Sequence, residues 1–94
     1  MNTNFLRQKT PAEIDAGIAL RMRSIRKRLK LSQQKLSEKS DVSLGSVKRF
    51  ERSGDISLCS LAKIAIALKC EGELESLFTE RTFESIQEVI DGQD

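Results

Sequence analysis

The 94-residue sequence has no histidine, tryptophan or tyrosine, one proline and two cysteines. Without histidine there is no imidazole for proton transfer near neutral pH or for metal ligation. Two thiols, Cys59 and Cys70, do not by themselves make a plausible zinc site. The acids and thiols form no catalytic cluster, and there is no glycine-rich phosphate loop, so neither an enzyme nor a bound cofactor or metal is expected. No apolar run approaches the length that spans a bilayer. Residues 1–7 lack the apolar core of a signal peptide. A cytoplasmic protein with reduced cysteines is therefore expected. With only Pro11 and five glycines to interrupt it, and no strand-like alternation, the chain should be all-α and form one domain.

The net charge of +2 conceals an uneven distribution. Residues 1–52 hold 13 Lys/Arg and 5 Asp/Glu, a balance of +8; residues 53–94 hold 3 and 9, a balance of −6. Two solvated faces would explain this blandly. A polyanion would instead be drawn to the first half and repelled by the second.

Residues 1–10 are polar and aperiodic and are expected to be a disordered tail; the main domain should occupy 11–80, with a helical extension at 81–94. Thr10-Pro11-Ala12-Glu13 is a helix start: Thr10 caps, Pro11 suits the first position and Glu13 completes a capping box. The helix should reach about Lys30, burying Ile14, Ile18, Met22, Ile25 and Leu29. Ser57 should cap a later helix from Leu58 to about Lys69, with Leu61, Ile64, Ala65 and Leu68 inward. A short helix from Glu73 to Phe78 should turn Leu74, Leu77 and Phe78 inward. Ser85 and Glu88 suggest a last helix at about Ile86–Asp91, apolar at Phe83, Ile86, Val89 and Ile90. That segment could finish the core, form a dimer seam or hold a partner protein.

The stretch from Leu31 to Gly54 organises the rest. Ser32 is an N-cap, and the helix from Gln33 to about Lys39 has one large apolar residue, Leu36. Ser40-Asp41-Val42 has room only for a turn, and Asp41 falls where a left-handed residue is needed, which Asp tolerates. Ser43 caps a second helix, Leu44 to about Arg52, which buries Val47 and Phe50 on one face. Ser43, Leu44, Gly45, Ser46, Lys48 and Arg49 lie on the other.

Three registered blocks, Leu31-Ser32-Gln33-Gln34-Lys35-Leu36, Val42-Ser43 and Val47-x-x-Phe50-Glu51-x-x-Gly54, resemble the helix-turn-helix of Cro/cI-type regulators, the XRE family. The resemblance covers roughly residues 21–78. It departs from the family at Ser37, where Ala is usual, and at Asp41, where Gly is usual. It implies a lambda-repressor-like bundle of five or six helices with the second helix of the motif in the major groove. It implies a sequence-specific, DNA-binding transcriptional regulator, a repressor acting as a homodimer on a palindromic operator of double-stranded DNA.

In that family an arginine of the first helix pairs with the glutamate of the last block, here Arg26 and Glu51, a structural rather than a DNA-contacting pair. Gln33 would hold a phosphate at a helix N-terminus, where free N–H groups and the helix dipole favour an anion. Ser43 and Arg52 would also touch phosphates. Leu44, Gly45, Lys48 and Arg49 would face base edges: Arg can pair with guanine O6 and N7, Leu44 can pack on a thymine methyl, and Gly45 permits close approach. A different class remains open, an antitoxin that binds its operator and neutralises a toxin protein such as a HipA-like kinase. The acidic C-terminal third, with its apolar stripe, is the feature that suggests it.

Overall fold

The computed structural model describes residues 8–79, and those residues form five helices and no strand. They are α1 (Pro11–Arg28), α2 (Gln33–Ser40), α3 (Leu44–Ser53), α4 (Leu58–Ala67) and α5 (Glu71–Glu75). The architecture is thus the expected all-α bundle with a central helix-turn-helix. The expectations for residues 1–7, for the helix at 86–91 with its apolar Phe83–Ile90 stripe, and for the 81–94 extension lie outside the described residues.

Each of the first four helices begins on a hydroxyl cap, because the first N–H groups of a helix have no intrahelical acceptor. Thr10 Oγ1 accepts from Glu13 N–H at 3.1 Å, and Thr10 N–H donates back to Glu13 Oε1 at 2.9 Å. Ser32 accepts from Lys35 N–H, Ser43 from Ser46 N–H and Ser57 from Ser60 N–H, at 3.0, 3.1 and 3.0 Å.

The helix ends differ from the expectation. α1 stops at Arg28 and α4 at Ala67, two residues short of Lys30 and Lys69. Both lysines are left-handed, at φ +59° and +61°. In each case the following two N–H groups turn back on the helix: Lys30 to Lys27 O and Leu31 to Arg26 O, Lys69 to Ile66 O and Cys70 to Ala65 O. This is the Schellman closure, usually made with glycine; with lysine in that place the sequence gives no sign of the left-handed residue. The early end of α4 lets α5 begin at Glu71. Consequently Leu77 and Phe78 fall beyond α5 and are exposed rather than inward, and only Leu74 of that trio packs on the core.

The core is Ala19, Met22, Leu36, Val42, Val47, Phe50, Leu61, Ile64, Ala65 and Leu68. α1 packs chiefly on α3, α2 on both α3 and α4, and α5 on α4. The inward line of α1 is Ala19, Met22 and Arg26, with Ile18 and Ile25 half-buried; Ile14 and Leu29 are about half exposed. At the end of α3, Gly54 takes φ +83° and lies so near α1 that an added Cβ would stand 2.6 Å from the carbonyl carbon of Asp15.

Candidate nucleic-acid interface

The turn between α2 and α3 sets how the two helices project. Asp41 adopts the left-handed conformation, φ 59° and ψ 31°, and its N–H reaches Ser37 O at 3.0 Å. Ser37 Oγ donates to Val42 O at 2.6 Å, and Ser40 Oγ accepts from Val42 N–H at 3.3 Å. Ser37 therefore does more than replace a small residue: its hydroxyl closes the turn. Val42 is buried directly after it and anchors the start of α3.

α3 is fixed from its inner side by Val47 and Phe50, both almost fully buried. Gly45, Lys48, Arg49 and Arg52 are exposed, and Leu44 is half-buried at the edge of the same surface. A Cβ on Gly45 would meet nothing within 4 Å, so packing inside the protein does not require glycine there. Ser43 stands at the helix start with its hydroxyl engaged, accepting from Ser46 N–H and donating to Ser46 Oγ at 2.9 Å. Arg49 Nε lies 3.6 Å from Asp55 Oδ2 across the exposed end of the helix.

Behind this surface the carboxylate of Glu51 joins three helices. Arg26 of α1 donates to it twice, Nε to Oε2 at 2.7 Å and Nη2 to Oε1 at 2.9 Å. Gln33 of α2 donates its Nε2 to Oε1 at 3.0 Å. Arg26 Nη1 also reaches Leu31 O at 2.8 Å, so one guanidinium ties α1 to the α1–α2 link and to α3. The Arg26 and Glu51 side chains are 9% and 5% exposed, which makes this a desolvated pair. Arg23, half exposed, stands 3.9 Å from the same carboxylate. Burial pushes the Glu51 carboxyl up, but the hydrogen bonds from Arg26 and Gln33 and the charges of Arg26 and Arg23 outweigh it, and it is held below its ordinary value.

The residues singled out from the sequence thus fall into two groups. Leu44, Gly45, Lys48, Arg49 and Arg52 share one outward surface of α3. Arg26, Glu51 and Gln33 converge beneath it at the N-terminus of α2. Gln33 is not a free-standing side chain: one amide N–H is committed to Glu51, and the other remains. Arg23, Ser37 and Asp55 also belong to this region and are not among the site residues expected from the sequence. Arg23 follows from its place one turn before Arg26, but nothing local marks the other two, which act across a turn. The cysteines stand apart: Cys59 is exposed, and burial, then Glu73 and Glu71, push the half-buried Cys70 thiol up.

The helix-turn-helix family model HTH_3 matches residues 22–74, more than half of the chain, and spans α1 from Met22 through α5 nearly to its end. The chain belongs to the XRE family of helix-turn-helix proteins. Searches among curated proteins and among solved structures return no significant match. Membership makes this chain a DNA-binding transcription regulator, and the family is a regulatory rather than a typically enzymatic one. Among the described residues no helix is long and apolar enough to cross a membrane.

Proposed function

We propose that the chain is a sequence-specific repressor that binds a palindromic operator as a homodimer, with α3 in the major groove. Leu44, Gly45, Lys48 and Arg49 read base edges, and Gln33, Ser43 and Arg52 hold phosphates. The observation that carries this assignment is the exposed surface of α3, which offers three cations, Lys48, Arg49 and Arg52, and a bare glycine and is anchored from behind by the Arg26–Glu51–Gln33 network. Dimerisation is favoured because one such small domain covers little DNA, while two related by a two-fold axis read both halves of a palindrome. The +8 balance of residues 1–52 supports a partner that is a polyanion. Repression follows if the operator overlaps the promoter it occupies.

The antitoxin reading has its own support. Residues 53–94 carry a balance of −6, and positions 83, 86, 89 and 90 are apolar. An acidic, amphipathic segment of that kind suits a protein partner better than it suits DNA.

Duplex binding is tested by polarisation on promoter and random DNA across a salt series. Affinity should fall steeply as salt rises, by about a thousandfold between 50 and 200 mM if roughly six phosphates are neutralised. Promoter DNA should outcompete random duplex throughout. Salt-insensitive binding, or equal binding to both duplexes, would remove the sequence-specific reading.

A further inference from the structure

Asp55 is an acid placed at the edge of the otherwise basic outer surface of α3. Its carboxylate faces Arg49, with Oδ2 3.6 Å from Nε. The backbone that presents it is held in place. Gly54, the preceding residue, is left-handed and pressed against Asp15 of α1. Asp55 N–H donates to Ser53 Oγ at 3.3 Å, and Ser53 Oγ donates in turn to Arg49 O at 2.8 Å.

The pair does little for the fold. The Arg49 and Asp55 side chains are 56% and 74% exposed, and ion pairs that open to water contribute little to stability. An acid in this place also opposes the approach of any phosphate chain. Its effect must then differ between the ligands Arg49 could meet. A phosphate offers Arg49 only another anion in exchange for Asp55, and Asp55 repels it. A guanine offers O6 and N7 together, without a charge for Asp55 to repel.

We infer that Asp55 is a specificity-determining residue, an internal competitor that keeps Arg49 off phosphates and leaves it available to a base edge. The inference rests on the assignment of Arg49 to base readout. Asp55 acts through Arg49 and touches no base itself. It lowers binding to random duplex more than binding to the preferred site, and so widens the gap between them.

The test uses the full chain, its Asp55→Asn variant, Arg49→Ala and the double variant. Each is titrated against a duplex selected by the parent from a randomised pool and against a scrambled duplex of equal length and composition. Asp55→Asn should tighten binding to the scrambled duplex two- to fivefold, about fivefold being the upper end of what an exposed ion pair is worth when expressed as a ratio. Binding to the selected duplex should change much less, so the preference shrinks. The salt slope on the scrambled duplex should steepen by about 0.9, one added phosphate contact. In the Arg49→Ala background the Asp55 substitution should leave the preference unaltered.

Equal tightening on both duplexes would reduce Asp55 to general repulsion and overturn the proposal. Weaker binding to the selected duplex would make Asp55 an orienting partner and overturn it too, as would a change in the preference that persists without Arg49. A parent with no preference, or an Arg49→Ala variant that keeps the parent's preference, would remove the base-readout assignment and the proposal with it. That failure is visible without the Asp55 variant, so the two are distinguishable.

Discussion

Glu51 is the residue on which the motif turns, and its chemistry is that of a charge kept out of water. Three N–H groups from Arg26 and Gln33 converge on two carboxylate oxygens. Replacing Glu51 by Ala would strand the buried Arg26 guanidinium, and breaking a buried pair in this way costs about 3–5 kcal/mol. Thermal or denaturant melts of Glu51→Ala, Arg26→Ala and the double variant check this. The double should lose less than the sum of the singles, and a Glu51→Ala variant that melts like the parent would contradict the desolvated pair. The same site sets a pH dependence. The folded carboxyl is held below its ordinary value, so its contribution is present above the unfolded pKa and is lost as pH falls through the folded one. Acid melts of the parent should therefore show a loss of stability in the acidic range below the ordinary carboxylate value, and Arg26→Ala should flatten it.

At the scale of the element, four of the described residues end helices α1–α4 in the left-handed conformation for different reasons. Asp41 and Gly54 close α2 and α3, and Lys30 and Lys69 close α1 and α4. Gly54 is required twice over, by φ +83° and by the contact with Asp15. Gly54→Ala should destabilise the fold by about 2 kcal/mol or more, since left-handed strain of about 1 kcal/mol adds to the backbone shift that overpacking forces. Lys69 is exposed and carries the strain without a packing reason. Lys69→Gly should accordingly stabilise the fold by about 1 kcal/mol. Denaturant midpoints at unchanged slope measure both. If the two substitutions move the midpoint in the same direction, the difference drawn between these helix ends is wrong.

At the scale of the molecule, the issue is how a domain this small reaches the affinity that regulation needs. In the proposed dimer, two copies related by a two-fold axis would place their α3 helices in successive major grooves on one side of the duplex. Half-sites should then lie about 34 Å apart, roughly one helical turn, or a multiple of it. Analytical ultracentrifugation of the protein with a selected duplex should give two protomers per site. Insertion of about five base pairs between half-sites should abolish tight binding by turning one half to the far side. One protomer per duplex, or indifference to the insertion, would count against the dimer.

Much of this was legible in the sequence because it is written in local chemistry. Hydroxyl caps at Thr10, Ser32, Ser43 and Ser57 announce helix starts, since a cap and its N–H partner are three residues apart. The spacing of Val47 and Phe50 fixes which side of α3 is buried and hence which side carries Gly45, Lys48 and Arg49. The registered blocks of the helix-turn-helix, set by the same short spacings, gave the family. What the sequence did not disclose depends on contacts between residues far apart or on backbone states without a residue signature. The left-handed backbone of Lys30 and Lys69 was hidden because lysine stands where glycine usually marks that state. The exposure of Ile14, Leu29, Leu77 and Phe78 depends on how far neighbouring helices cover them, which spacing along one helix does not state. The capture of Gln33 by Glu51, 18 residues away, needed two helices brought together. The same is true of Gly54 pressed on Asp15, while the Ser53–Gly54 turn alone brings Asp55 to Arg49. Local propensity and spacing determine where helices begin and which faces they bury; tertiary packing decides which polar groups those faces bring within reach of one another, because hydrogen bonds and charge pairs act over a few ångströms of space regardless of separation along the chain.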